Sequence, residues 1–319
     1  MEPYETVEES AVETPADEIK VKKQRRKFFD SVLGVYLESY LTVVLGQSIL
    51  MVIYFFVMGI IGTKGQLNDF MDTLQLYVLF LGCWTFLIIL LLIDKKYNKI
   101  LSSFLKGMSG NNIKNLLIGF ALGFVCNATC IGVAYMHGDI ELSRTPKNVI
   151  GYIVLFVFVF IQSSFEEALC RGYMYHKFRK SYKKVAVAII ANSVFFGLIH
   201  LGNQGVTVLS LLNIIFVGFI CTVMVYYYNS LWMAFSFHAM WNYTQNIIFG
   251  LPNSGNPSSY SILAANADTV KNSFAYDTAF GVEGTIVATL VYVVTVVALI
   301  VIAKATKKQN ENIWDEAEA

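Results

Sequence analysis

The sequence predicts an all-α fold: a polytopic membrane bundle of about eight transmembrane helices. Three observations carry this. Of 319 residues, 55% are hydrophobic and only 15% charged, against about 25% charged in a soluble domain. The mean hydropathy of +0.54 shows that the shortage of charge is general. The apolar residues also gather into runs of roughly 20, the length that crosses a bilayer core.

The elements follow in order. Residues 1–19 hold seven acidic residues and two prolines with almost no apolar periodicity, the composition of a disordered tail. The run 20-KVKKQRRK-27 then adds six positive charges. Such a run can contact nucleic acid. Ahead of so many apolar segments it reads instead as a cytoplasmic topology anchor that touches lipid headgroups, and no nucleic-acid partner is expected. Residues 1–30 show no apolar leader core, so the first span is expected to act as the insertion signal. The expected spans lie at about 40–62, 74–93, 115–136, 148–170, 185–203, 206–228, 231–249 and 284–303. Basic residues cluster at alternate ends of these spans. One set of ends holds Lys20 to Lys27, then Lys95, Lys96, Lys99 and Lys106, then Lys177, Arg179, Lys180, Lys183 and Lys184, and finally Lys304, Lys307 and Lys308. The segments between the other ends, 63–73, 137–147 and 250–283, hold few. The alternation places both termini in the cytoplasm, at the cell membrane if the source is bacterial. The chain thus divides into a tail (1–30), a transmembrane domain (31–305) and a cytoplasmic C-terminal tail (306–319).

The five cysteines, Cys83, Cys126, Cys130, Cys170 and Cys221, sit in apolar or helical stretches. That excludes a secreted disulfide framework. No internal repeat and no glycine-rich phosphate loop is present.

Against this apolar background a few polar residues stand out. The uncharged run 149-VIGYIVLFVFVF-160 leads into 161-IQSSFEEALCRG-172, which brings Glu166, Glu167 and Arg171 together. A charged side chain near a bilayer centre costs roughly 2.5–3.5 kcal/mol on insertion scales. Glu167 and Arg171 are four apart and can pair on one helix face. Glu166 points about 100° away, so the spacing predicts one carboxylate held in an ion pair and the other free. Two of the four histidines also fall in spans. His200 follows Phe196 by four residues, and Asn242 follows His238 by four. Either histidine alone could be a packing residue. Two histidines, an asparagine and a carboxylate pair on three helices predict a site. Counting rises along each helix puts Glu166 and His238 at similar depth and His200 deeper.

Three motifs stand in order: E-E-x-x-x-R at 166–171, F-x-x-x-H at 196–200 and H-x-x-x-N at 238–242. In this order the chain, over about 148–249, resembles the CPBP family: the type II CAAX prenyl endopeptidases and bacteriocin-processing (Abi) intramembrane proteases. The resemblance implies a peptidase in which Glu166 and His200 polarise a water, while His238 and Asn242 stabilise the tetrahedral oxyanion. Glu167, Arg171 and Phe196 then support these four. It implies a peptide, or a lipid-anchored or membrane protein, as substrate, cut near the cytoplasmic leaflet. CAAX-type processing, bacteriocin or pheromone maturation, and self-immunity are all compatible with it. The acidic tail and segment 250–283 are departures, expected to bear on substrate and partners rather than on chemistry.

No cofactor is required by this reading. Zn²⁺ remains an alternative, since Glu166, His200 and His238 are a ligand set that leaves a position open for water. No H-E-x-x-H motif is present. A nucleophilic Cys170 or Ser164 is disfavoured, because Cys170 shares a helix with Glu166 and is poorly placed for a Cys–His pair. Two non-proteolytic readings stay open. One is a membrane scaffold or regulator of a sensor kinase or partner helix. The other is a cation-coupled transporter, which lacks the expected inverted repeat and broken helices.

Overall fold

A computed structural model describes residues 28–62, 66–308 and 310–315. The predicted acidic and basic tail up to residue 27 therefore lies outside the described residues. Helices α1 (Val32–Ile61), α2 (Gln66–Val78) and α3 (Phe80–Ile93) come first, then the short α4 (Ile100–Phe104) and α5 (Ile113–His137). Helix α6 (Val149–Glu167) continues through a π-helical stretch, Ala168–Met174, into α7 (Tyr175–Ser181). After α8 (Val185–Leu198) and α9 (Val208–Tyr228), α10 (Leu231–Asn242) runs into a second π-helical stretch, Tyr243–Ile248, and α11 (Ile286–Ala305) closes the bundle. Strands β1 (Leu142–Arg144) and β2 (Leu263–Ala265) pair antiparallel and tie two of the connecting loops together.

The chain is an all-α, multi-pass membrane bundle. The count of eight spans is not reached by length and composition. Six described helical segments qualify: Val32–Ile60, Leu67–Ile93, Ile113–His137, Val149–Ser181, Val208–Tyr228 and Ile286–Ala305. Helix α8 is apolar but too short. Helix α10 has only 12 residues before its π-helical continuation. These two deficient segments are the ones that lead to His200 and carry His238, so the shortfall falls on the polar site.

Caps explain where the helices start. The side chains of Ser31, Asn112, Asn148, Thr207, Ser230 and Thr285 each accept from a backbone N–H in the first turn of the helix that follows. Each satisfies an orphan donor and is worth about 1 kcal/mol. Helix α1 is peripheral, with 11% of its most apolar window buried, whereas the corresponding value for α9 is 61%. Helix α1 is therefore the least enclosed of these six and α9 the most.

Helix α10 is held against α5 by two glycines one turn apart. A Cβ on Gly119 would come within 2.3 Å of the Met233 carbonyl oxygen, and one on Gly123 within 2.3 Å of that of Phe237. This is the small-xxx-small contact that lets membrane helices touch backbone to backbone. It fixes the height of His238. Gly123→Val is expected to push α10 outward and to lower the melting temperature in detergent by several degrees, as a destabilisation of about 1–3 kcal/mol would.

Segment 250–285 is ordered. Asn253 and Asn256 exchange N–H···O bonds of 3.0 and 2.9 Å across Ser254 and Gly255, which both have positive φ (47° and 82°). This is the geometry of a two-residue hairpin of type I′. Gly255 packs on the loop after α8: a Cβ there would sit 2.1 Å from the Gln204 carbonyl oxygen. At the opposite end of the bundle, described residues of the C-terminal tail fold back. Trp314 Nε1 donates to the His176 carbonyl (2.7 Å), and Arg179 donates to Asn310 Oδ1 (2.8 Å).

Candidate active site

Each motif sits beside a local irregularity. The π-helical stretch Ala168–Met174 begins directly after Glu167, and the stretch Tyr243–Ile248 directly after Asn242. Helix α8 stops at Leu198 and leaves His200 on a turn, with its N–H on the Gly197 carbonyl at 3.0 Å. Wide turns of this kind concentrate at functional sites. Although straight helical rises put His200 deeper, it lines the same cavity as Glu166 and His238.

The structure brings the three motifs together. Glu167 and Arg171 are fully buried and pair at 3.1 Å. The same Glu167 oxygen accepts from His238 Nδ1 at 2.9 Å. Glu166 Oε2 lies 3.7 Å from the other ring nitrogen, His238 Nε2, within ion-pair range but too long for a hydrogen bond. The expected division, with Glu167 on Arg171 and only Glu166 facing the histidines, is therefore corrected. Neighbouring carboxylates do diverge by about 100°, but the flat imidazole of His238 enters between them and meets one at each nitrogen. Glu167 acts as the orienting acceptor. Because a carboxylate can only accept, Nδ1 carries a proton, and this bond fixes the orientation of the ring.

His200 is oriented by a different acceptor. Its Nδ1 donates to the Phe196 carbonyl at 2.7 Å, so in the neutral ring Nε2 is the lone-pair nitrogen. The Phe196 ring lies between these groups. Arg171 stacks 4.5 Å above its centroid, His200 lies 4.9 Å away and His238 meets it edge-on at 5.7 Å. A desolvated cation–π contact of this kind is worth about 2 kcal/mol. It holds the guanidinium whose Nη2 and Nε have no hydrogen-bond partner among the described residues.

Glu166, His200, His238 and Asn242 line one cavity of about 400 Å³. Its apolar side comes from α1 and from α2 and α3, through Val43, Met51, Leu76 and Phe80. Its polar side includes Asn203, Asn253, Ser254 and Asn256. These come from the connections after α8 and α10, at the end of the bundle away from the basic helix ends.

Asn242 lies one turn from His238 and joins the wall. Its Nδ2 donates to Ser163 Oγ (3.1 Å) and Gln162 Oε1 (3.2 Å), one turn before Glu166. Its Oδ1 accepts from Asn253 Nδ2 at 3.1 Å. Segment 250–283, expected to serve substrate and partners only, thus touches a site residue. Glu283 is a further buried carboxylate behind it. It accepts from Trp241 Nε1 (2.9 Å), the Ser254 N–H (2.6 Å) and Ser254 Oγ (3.0 Å). Burial pushes the Glu283 carboxyl above its ordinary range, and the donors from Ser254 and Trp241 offset this only in part. Nothing in the sequence singled out Asn253 or Glu283. The signal available was a lone carboxylate three residues ahead of an apolar span.

The alternative metal set does not assemble. Among the described residues no three His, Cys, Asp or Glu side chains are grouped to hold a metal ion. Glu166, His200 and His238 share a cavity without forming a ligand cluster. Cys170 is fully buried and, like Ser164, is absent from the cavity wall.

Comparison with known proteins bears on one segment. Residues 148–244 match the family described as Type II CAAX prenyl endopeptidase Rce1-like. This is just under a third of the chain and includes all three motifs, so the resemblance seen in the motifs holds over this segment. No curated protein and no solved structure matches the chain. Asn253 and Glu283 lie outside the matched residues.

Proposed function

We propose that this chain is an intramembrane endopeptidase of CAAX type, hydrolysing a peptide bond of a membrane-associated substrate by water activated at Glu166 and His200. The observation that carries this reading is the convergence of Glu166, His200 and His238 from three helical segments on one cavity. The cavity wall supports a peptide as ligand. It includes seven carboxamides: Gln162 and Asn242 in the site, with Gln47, Gln75, Asn203, Asn253 and Asn256 around them. Carboxamides both donate and accept, which suits a neutral peptide backbone better than a phosphate or a cation. The apolar wall from α1 to α3 suits the lipid-bearing or hydrophobic part of such a substrate.

In this mechanism the carboxylate of Glu166 and the Nε2 of His200 take up the proton of a water as its oxygen attacks the carbonyl carbon. The tetrahedral oxyanion forms opposite His238. Two carboxylates and one guanidinium leave one negative charge in the cluster, and a His238 imidazolium balances it, so that Nε2 donates to the oxyanion. The C–N bond then breaks, and the proton held at Glu166 passes to the leaving amine. The products are a carboxylate and an amine. Low local dielectric strengthens each of these contacts. No step requires a metal ion, so cleavage of an internally quenched farnesylated peptide by the purified protein is expected to persist in chelator. Loss of turnover in chelator, restored by Zn²⁺, would replace this mechanism with a metal-dependent one. The natural substrate is sought by mass spectrometry of membrane peptides that accumulate when Glu166 is changed to Gln. An unchanged peptide profile counts against the peptidase reading.

A further inference from the structure

We infer that Asn253 and Glu283, from the segment after the matched region, set the direction of the Asn242 carboxamide and so are positioning residues for the site. The inference rests on the peptidase reading for its effect on rate, but its geometry stands on a chain of one-way hydrogen bonds.

An asparagine amide can be turned over with little change in shape, so its direction has to be imposed by its partners. Here the far end of the hydrogen-bond chain, at Trp241 and Glu283, fixes it. Trp241 Nε1 can only donate, and it donates to Glu283 Oε1 at 2.9 Å. Glu283 receives that bond and two more from Ser254, so it presents only acceptors. Asn253 therefore turns its Nδ2 toward Glu283 Oε1, at 3.5 Å, and the same nitrogen donates to Asn242 Oδ1 at 3.1 Å. Asn242 is left with its oxygen engaged and its NH₂ facing Ser163 and Gln162. Donors are thereby directed at the wall that also carries Glu166. With the amide reversed, Asn242 would present an oxygen to that wall and repel an oxyanion.

The hairpin geometry holds this chain in register. Gly281 (φ 86°) lets the backbone before Glu283 approach the Pro252 carbonyl, where a Cβ would meet oxygen at 2.0 Å. Gln245 Nε2 donates to that same carbonyl at 2.6 Å. Asn246 donates to the Leu251 and Asn256 carbonyls at 3.1 and 3.0 Å. Both side chains belong to the π-helical stretch directly after Asn242, so that stretch and the hairpin are one unit.

The test uses the full chain in liposomes and the internally quenched farnesylated peptide. The informative variant is the pair Asn253→Asp with Glu283→Gln. It keeps shape and total charge, and the glutamine amide can donate to the new aspartate, so the bond to Asn242 survives with its direction inverted. A glutamine amide sets its NH₂ against Trp241 Nε1 or the Ser254 N–H in either orientation, so the reference is Glu283→Gln alone, which loses such a bond but keeps the Asn253 donor. Positioning predicts a melting temperature close to that of Glu283→Gln, with kcat lowered about tenfold to hundredfold below it, as small misplacements at a reacting centre do, and KM changed far less. A merely structural role predicts the kcat of Glu283→Gln, which overturns the inference. Asn242→Ala with Asn253→Ala is expected to be no slower than Asn242→Ala alone, because the two act through one contact; losses that multiply also overturn it. Independently of turnover, the side-chain NH₂ resonance of Asn242, identified by its loss in Asn242→Asp, is expected to shift and to exchange faster with solvent in Asn253→Ala. An unmoved resonance refutes the geometry itself. Unchanged turnover in Glu166→Gln would refute the peptidase reading and leave this last measurement to decide the orientation.

Discussion

Glu166→Gln is expected to lower cleavage of a farnesylated peptide by about 10²–10⁴-fold, the range that a positioned acid–base group contributes, while the protein expresses and melts like wild type. The two halves of this result have separate causes. Glutamine has nearly the volume of glutamate, and Glu166 Oε2 makes no hydrogen bond to any described residue. Its closest charged neighbour, His238 Nε2, is 3.7 Å away. Little stability is lost with the charge. The chemistry loses the proton acceptor for the attacking water. The measurement is kcat/KM with a melting curve from the same preparation. Turnover within a few-fold of wild type would remove Glu166 from the mechanism. A large fall in melting temperature would assign it to packing instead.

Arg171→Ala is expected to have the larger effect on stability, a loss of about 3–5 kcal/mol, typical of stranding one partner of a buried ion pair. Arg171 and Glu167 are both without solvent exposure, and Glu167 also carries His238. Removing the guanidinium leaves the histidine as the carboxylate's remaining ion-pair partner among the described residues and empties the space above the Phe196 ring. Thermal unfolding in detergent checks this directly. The companion variant Arg171→Met with Glu167→Gln removes both charges and is expected to recover most of the lost stability. It is not expected to recover activity, because a neutral carboxamide in place of the Glu167 carboxylate removes the counter-charge of the His238 imidazolium and the acceptor that orients its Nδ1–H. If Arg171→Ala melts like wild type, the ion pair is not what makes the charges tolerable.

The parts of this molecule that were legible in the sequence are those set by local pattern. Apolar runs gave the helices, although α1 begins near residue 32 rather than 40 and continues to Ile61. The i, i+4 spacing gave the Glu167–Arg171 contact. Motif order gave a family likeness that extends over 148–244. What pattern could not supply is the departure from ideal helices. The π-helical stretches after Glu167 and Asn242 change which residues face inward, and no residue type announces them. The entry of His238 between two adjacent carboxylates depends on the width of a ring, not on helix period. The G-x-x-x-G spacing of Gly119 and Gly123 names no partner helix, and only the fold shows that α10 is the helix it meets. Asn253 and Glu283 looked like ordinary loop residues because their contacts span a turn of the chain that only the fold closes.

The late position of that closing segment has a consequence for biogenesis. A ribosome makes all three motifs before it reaches Ser254 and Gly255, and it finishes Trp241 well before Glu283. A nascent chain inserted up to residue 249 carries Glu166, His200, His238 and Asn242 but lacks the hairpin that seats on Gln204 and donates to Asn242. On the peptidase reading, completion of the last loop and helix is then an arming step, which keeps a half-built protease from acting on the other nascent membrane segments emerging beside it.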